Sequence, residues 1–256
     1  MKSPVVIIGM GEMGSVLARG FLRSGHPVYP VTRHLDIAEE AGRIPEPVLA
    51  LVAVTEDILH PVLETIPMAW RDRLGMIQNE LLPRDWMRHG ITDPTVVVVW
   101  FEKKKGMDTK VLLPSAVYGP HTPLIREGLA SVDISSRVLT SKGELLFELV
   151  RKNVYILTVN IAGLVTGGSV SDLWSKHRKL AMEVANEVID IQEWLCQETL
   201  PREQLIDGMV EGFDADPEHV CTGRVAHRRL ERALAHAWEA CISTPILQEI
   251  ADQTRD

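Results

Sequence analysis

The chain opens with an unbroken apolar run, Val5-Val6-Ile7-Ile8, and passes directly into Gly9-Met10-Gly11-Glu12-Met13-Gly14. The run suits a strand buried on both faces. The G-x-G-x-x-G spacing suits a tight turn from that strand into a helix. Gly9 lets the chain leave the strand, Gly11 lets the backbone approach a pyrophosphate, and Gly14 lets the helix pack close to the strand. The free N–H groups of the helix N-terminus would then face the phosphates. A glycine-rich turn that binds nothing has the same string. Its place between a strand and a helical pattern makes a dinucleotide site the better reading. Cofactor contacts are therefore expected at Gly9, Met10, Gly11, Glu12, Met13 and Gly14.

The next elements refine the cofactor. Val16, Leu17, Ala18, Phe21 and Leu22 share a helical face, and Ser24-Gly25 reads as its stop. Val28-Tyr29-Pro30-Val31 reads as a second strand, and Pro30 either argues against that strand or places it near an edge. An NAD-preferring enzyme usually carries an acid about twenty residues past the first glycine, on the ribose 2′-hydroxyl. Here the chain reads Thr32-Arg33-His34. Arg33 and Thr32 could hold a 2′-phosphate that a carboxylate would repel, so NADP(H) is the expected cofactor. Asp36 is the nearby acid that would favour NAD, and a solvated Arg33 is the plain alternative.

Leu49–Val54 reads as a buried parallel strand, followed by Thr55 and a helix over 57–65. Leu74–Ile77 reads as a short strand, followed by Gln78-Asn79. Thr55 and Asn79 thus sit at strand ends, where α/β folds bind ligands, although Asn79 could equally be a loop or cap residue. Residues 95–101 and 110–118 read as single strands, 103–106 as a solvated turn, 123–129 as a short helix and 132–138 as an extended segment. The fold class is α/β: a doubly wound, mostly parallel Rossmann sheet, shortened after the second strand, with an all-helical second domain. The boundary is placed at 1–142 and 143–256.

The second part is read as helices over 144–164, 171–196 and 223–242, with a break at Pro201 and a final short helix after Thr244-Pro245. Val225, Leu230, Leu234 and Trp238 are assigned to the apolar side of the third. Lys152 and Asn160 stand two turns apart on one side of the first, with Ile156 between them. Reducing a ketone needs hydride at carbon and a proton at oxygen, and a Lys ammonium can supply the proton. A solvated Lys and a capping Asn have the same spacing.

Composition narrows the partners. The formal net charge of −8 and the 5% aromatic content speak against a nucleic-acid surface. No run reaches about 18 apolar residues, so no membrane span is expected. Cys196, Cys221 and Cys241 lack C-x-x-C spacing, which fits a reduced, cytoplasmic protein. No metal-ligand or nucleophile-elbow spacing is present in the sequence. The expected partner is a small-molecule substrate, and an apolar helical domain is compatible with a homodimer.

Across most of its length the chain resembles the ketopantoate reductase (2-dehydropantoate 2-reductase) family, within the wider 6-phosphogluconate dehydrogenase-like superfamily. The resemblance rests on Gly9–Gly14, Ile77-Gln78-Asn79, Tyr118-Gly119, Arg151-Lys152 with Asn160-Ile161-Ala162-Gly163-Leu164, Gly223-Arg224, and Thr244-Pro245. It implies a Rossmann domain, a helical domain and an active site in the cleft, where NADPH reduces a 2-oxo acid to the 2-hydroxy acid. Lys152 would be the general acid. Asn79 and Asn160 would line the site, Thr55 would stand where the family has a Lys, and Arg33 would meet the 2′-phosphate. The chain departs from the family pattern at further places, among them Asp214-Ala215-Asp216, where the family has a serine. Ile156 replaces the helix's middle Asn, the segment between Arg33 and Val48 is shortened, and Ala226-His227-Arg228-Arg229 replaces Thr-Glu-x-Asp. His227 and Glu231, the nearest acid, are then the candidate substrate contacts. Since a site built for hydroxyl and carboxylate partners discriminates strongly, these changes point away from ketopantoate. The alternatives are a non-catalytic NADP-binding sensor or partner-binding module, and an imine reductase.

Overall fold

The structure, a computed structural model, describes residues 2–254. The chain divides into two compact units, Met1–Glu148 and Leu149–Asp256. In the first, β1 (Val5–Ile8), β2 (Val28–Val31), β3 (Leu49–Val52), β4 (Leu74–Met76) and β5 (Thr95–Val98) run parallel. The two-stranded sheet β6 (Phe101–Glu102) with β7 (Lys110–Val111) interrupts the sequence. β8 (Ser115–Tyr118) then joins β5 antiparallel, and β9 (Ser136–Val138) pairs parallel with β8. The main sheet has the order β2-β1-β3-β4-β5-β8-β9.

β1 is an interior strand and almost wholly buried, as a strand covered on both faces must be. β2 is the edge strand, so the missing N–H of Pro30 breaks no ladder. Ile8 is level with both Val31 and Val52, and Val52 with Met76. Four strands therefore end together, and Gly9, Thr32, Ala53 and Ile77 begin four adjacent connections. The order reverses at β1, with β2 on one side and β3 on the other, which is where this class of sheet opens its ligand crevice. α1 (Glu12–Arg23) follows the glycine turn, α2 (Ile37–Arg43) precedes β3, and α3 (Leu59–Thr65) precedes β4. α4 (Pro83–Met87) and α5 (Thr122–Ala130) complete this part of the chain before the long α6. α1 closes with His26 N–H donating to Phe21 O and Gly25 N–H to Leu22 O, a Schellman stop with Gly25 at its turn.

Two expected strands are each broken in two. The 95–101 run leaves the main sheet after Val98, because the Trp100 N–H donates to Ser115 Oγ and Phe101 pairs with Val111 instead. The 110–118 run is interrupted at Pro114, which lies between β7 and β8 and has no N–H to contribute. Only the end of the 132–138 segment is a strand; Val132, Asp133 and Ile134 donate back to the carbonyls of Leu129 and Ala130 at the end of α5.

α6 (Lys142–Thr166) runs from the first unit into the second, whose other helices are α7 (Val170–Lys176), α8 (Arg178–Cys196), α9 (Arg202–Ala215), α10 (Ala226–Ala240) and α11 (Pro245–Gln253). The expected single helix over 171–196 breaks at His177, since residues 175–179 are all exposed and no buried side chain holds the axis straight there. α10 buries Ala226, Arg229, Leu230, Ala233 and Ala237, whereas Trp238 is 85% exposed. Leu230 is on the expected face and Val225 and Leu234 are half-buried, so Trp238 alone is misplaced, and alanines fill the rest of the buried face. On α8, the buried Glu187 accepts N–H bonds from Ile246 and Leu247, both at 2.9 Å, and so caps α11. Burial pushes the Glu187 carboxyl above its ordinary pKa against the pull of these two bonds. Among the described residues, no helix is long and apolar enough to cross a membrane.

Candidate functional site

The glycine turn is built by its neighbours. Gly9 N–H donates to Val31 O at 2.9 Å, and Ala53 N–H donates to Ile8 O at 2.8 Å, so three strand ends grip it. Gly9 has φ +99°, and a Cβ there would lie 2.8 Å from Ala53 O. A Cβ on Gly14 would lie 2.1 Å from Gly9 O, so only glycine lets α1 start this close to β1. Gly11 faces open space, with nothing within 4 Å of an added Cβ, and as the N-cap of α1 it makes no side-chain hydrogen bond. An uncapped helix N-terminus beside side-chain-free backbone fits a pyrophosphate. Met10 is exposed and Met13 half-buried. The Glu12 side chain is exposed in the first turn of α1, so what this residue could offer a phosphate is its backbone N–H.

At the end of β2, Thr32 is half-buried and its carbonyl accepts from Leu35 N–H. Arg33 and His34 are exposed, with Arg33 Nε donating to His34 Nε2 at 3.3 Å. Asp36, the acid that would favour NAD, caps α2: its Oδ1 accepts from Ala38 N–H at 2.8 Å and Glu39 N–H at 2.9 Å. The carboxylate is thus engaged, while the Arg33 guanidinium stands out at the strand end.

After β3, Thr55 is exposed and opens a 3-10 turn, Glu56–Ile58. Asn79, after β4, donates through Nδ2 to Glu56 Oε1 at 3.1 Å. The buried Gln78 holds the two connections together, donating to Val52 O at 2.8 Å and Val54 O at 3.2 Å and accepting from Ile77 N–H. Glu56 and Gln78 did not stand out in the sequence. Their nearest signal was position, at the ends of adjacent apolar runs.

In the helical unit, Lys152 is half-buried with its Nζ 5.1 Å from the centre of the Tyr155 ring, within cation–π range. Ile156, also half-buried, lies one turn on. Asn160 is 5% exposed. Its Oδ1 accepts from Arg229 Nη1 at 2.6 Å and its Nδ2 donates to Cys221 O at 3.4 Å. The α10 residue that reaches Asn160 is therefore Arg229, which is itself buried, while His227 and Glu231 are exposed. A buried arginine in a run of surface charge gave no sequence signal. Asn153 donates to Gln192 at 3.0 Å, and Arg151 donates to Glu211 at 2.7 Å and to Gly208 O. Cys221 is buried, which pushes its thiol up to about 11, so it has little thiolate character.

No protein-family model matches the chain, and no curated protein does. Solved structures match over nearly its whole length. The 2-dehydropantoate 2-reductase of Methylococcus capsulatus superposes with a TM-score of 0.70 at 12% identity, covering 96% of this chain and 94% of its own. The PanE/ApbA-family ketopantoate reductase of Ralstonia eutropha JMP134 does so at 0.69 and 13%, covering 98% and 97%. A D-mandelate dehydrogenase solved with NADH gives 0.68 and 12%, covering 97% and 96%. At such identities the likeness is one of fold. The chain has the ketopantoate reductase fold, with a mostly parallel Rossmann sheet followed by helices.

Proposed function

We propose that the chain is a nicotinamide-dependent oxidoreductase, using NADP(H), that reduces a small 2-oxo acid or related ketone to the hydroxy compound. The observation that carries this reading is the row of strand ends, where an uncapped glycine turn and a protruding Arg33 lie on four adjacent, level strands. The neighbours named as reductases and a dehydrogenase support the same class of chemistry. One of them is recorded with NADH, so the choice of NADP(H) rests on Arg33 and on the capping role of Asp36. The cofactor, when bound, supplies hydride to the carbonyl carbon. Lys152 gives its proton to the carbonyl oxygen and then recovers one from water. Asn160, bound to Arg229 and Cys221 O, holds α6 in place rather than meeting substrate. A homodimer belongs to the proposal, supported by a dimeric Staphylococcus aureus ketopantoate reductase of the same fold. A cytoplasmic setting is supported by the free cysteines.

The test is NADPH oxidation against a panel of 2-oxo acids, with NADH in parallel. Turnover with NADPH preferred is expected, and Arg33→Asp should raise the Kd for NADPH by about tenfold or more, the worth of a charge-assisted pair. Unchanged NADPH affinity in that variant would remove the NADP reading. A second reading, a non-catalytic NADP-binding protein, draws on Ile156 and on the engaged Asn160. NADPH binding without turnover of any ketone or imine would favour it.

A further inference from the structure

The connections after β3 and β4 hold a contact whose chemistry is directional. Asn79 Nδ2 donates to Glu56 Oε1 at 3.1 Å, and both side chains are half-buried. A carboxylate offers only acceptors, whereas a carboxamide has a donor end and an acceptor end. Glu56 therefore decides which way the Asn79 amide faces: the NH2 is turned to Glu56 and Oδ1 away from it. Gln78 keeps the two segments in register, since it donates to carbonyls on both sides of Ala53 while its own Oε1 accepts from Ile77 N–H. The pair lies at the same sheet end as the glycine turn, two connections along.

We infer that Glu56 is a positioning residue that fixes Asn79 Oδ1 as a hydrogen-bond acceptor for the nicotinamide end of the cofactor. The donor is a ribose hydroxyl or the carboxamide NH2. This rests on the proposed nicotinamide-dependent function. Charge alone argues the opposite way, because a carboxylate beside a polyanionic cofactor repels it and its removal should tighten binding. Orientation of the amide predicts weaker binding, and only for a ligand that carries the nicotinamide.

The test is calorimetric binding of NADPH and of 2′,5′-ADP, which lacks the nicotinamide half, to the wild-type protein and to Glu56→Ala, Glu56→Lys and Glu56→Gln. Glu56→Ala should raise the NADPH Kd by about five- to tenfold, the worth of one hydrogen bond. The 2′,5′-ADP Kd should stay unchanged or fall slightly. Glu56→Lys presents a donor and turns the amide over, so NADPH should weaken further despite the added positive charge, while 2′,5′-ADP tightens. Glu56→Gln keeps an acceptor and should restore NADPH binding to within about twofold of wild type. An NADPH analogue whose carboxamide is replaced by an acetyl group assigns the donor. If the Glu56→Ala effect persists with it, the donor is the ribose, and if it vanishes, the carboxamide. NADPH bound by Glu56→Ala as tightly as by wild type overturns the inference alone. So does a parallel loss for both ligands with a lowered melting temperature, which is the mark of a merely structural residue. A wild-type protein that binds neither ligand overturns the nicotinamide reading and this inference with it.

Discussion

The strand ends of the sheet and the α6–α10 contact of the helical unit use polar groups in opposite ways. At the strand ends the groups left open are mostly backbone and empty space: a glycine turn, an uncapped helix start and an exposed guanidinium. In the helical unit several buried polar side chains are bound to one another, Asn160 to Arg229, Asn153 to Gln192 and Arg151 to Glu211. Lys152 is half-buried over the Tyr155 ring. A ligand can add bonds at the first region without breaking any. At the second, most of the buried polar groups have their bonds already. Binding function should therefore be concentrated in the sheet, and the proposed share of the helical unit is proton donation by Lys152.

The largest expected effect tests that last statement. Lys152→Ala should lower kcat by about 10²- to 10⁴-fold, the usual weight of a positioned acid, and leave NADPH affinity unchanged. Equal turnover in the two proteins would take Lys152 out of the mechanism and turn attention to an imine substrate. Next in size is Gly14→Ala. The added methyl would meet a backbone carbonyl that cannot rotate away, so α1 must move from β1. A stability loss of about 1–3 kcal/mol is expected from such overpacking, together with NADPH binding weakened by more than the stability loss explains. Intact NADPH binding would show that the turn does not hold the cofactor.

Much of the sheet region could be read from the residues because its determinants are local in sequence. An apolar run, three glycines, an edge proline and an exposed Arg each act within a few positions of where they stand. The break at Trp100 was not legible, since a valine-rich run carries no mark of where a strand changes partners, and the partner, Ser115, is fifteen residues away. The helical unit was harder for the same reason. Arg229 looks like one more charge on a basic surface until the fold brings it to Asn160. Trp238 looks like an anchor until alanines take the buried face. Glu56 and Asn79, 23 residues apart, meet only because β3 and β4 are level.

Asn160→Ala sharpens the comparison on the helical side. It leaves the buried Arg229 guanidinium without the amide oxygen it donates to, and a loss of about 1–3 kcal/mol in unfolding free energy is expected. Chemical denaturation gives that figure, and single-turnover kinetics gives the other half of the answer. A structural Asn160 moves stability and leaves the hydride step within a few-fold. If instead the hydride step collapses while stability holds, Asn160 meets the substrate and the helical unit contributes more than Lys152.

The smallest effect lies within the sheet unit, at a pair of histidines that the glycine turn does not involve. His60 Nδ1 and His89 Nε2 are 3.0 Å apart and share a hydrogen bond that exists only while at least one ring is neutral. Burial, then Arg88, holds His60 below its ordinary pKa of 6.5, with Arg84 adding to this and Glu64 opposing it. Burial, then His60 itself and Arg88, does the same for His89, with Arg71 adding and Glu64 again opposing. The Asp85 carboxylate, 3.7 Å from His60 Nε2, also accepts from Leu82 N–H. With both folded pKa values lowered, the unfolded chain takes up protons first as pH falls below 6.5. Stability from this pair is therefore level above that pH and declines below it, until the folded rings protonate in turn. The pair's share of the slope of unfolding free energy against pH in that window should correspond to at most about two protons, and His89→Asn should reduce it. His121, also held low by burial, contributes its own share and should remain after that substitution. Lys152 and Arg33 lie outside this pair, so turnover per folded molecule should not follow the same curve. If it does, the histidine pair is coupled to the strand ends through α3 and the Glu56 turn before it, and the sheet region is less purely a binding surface than its backbone geometry implies.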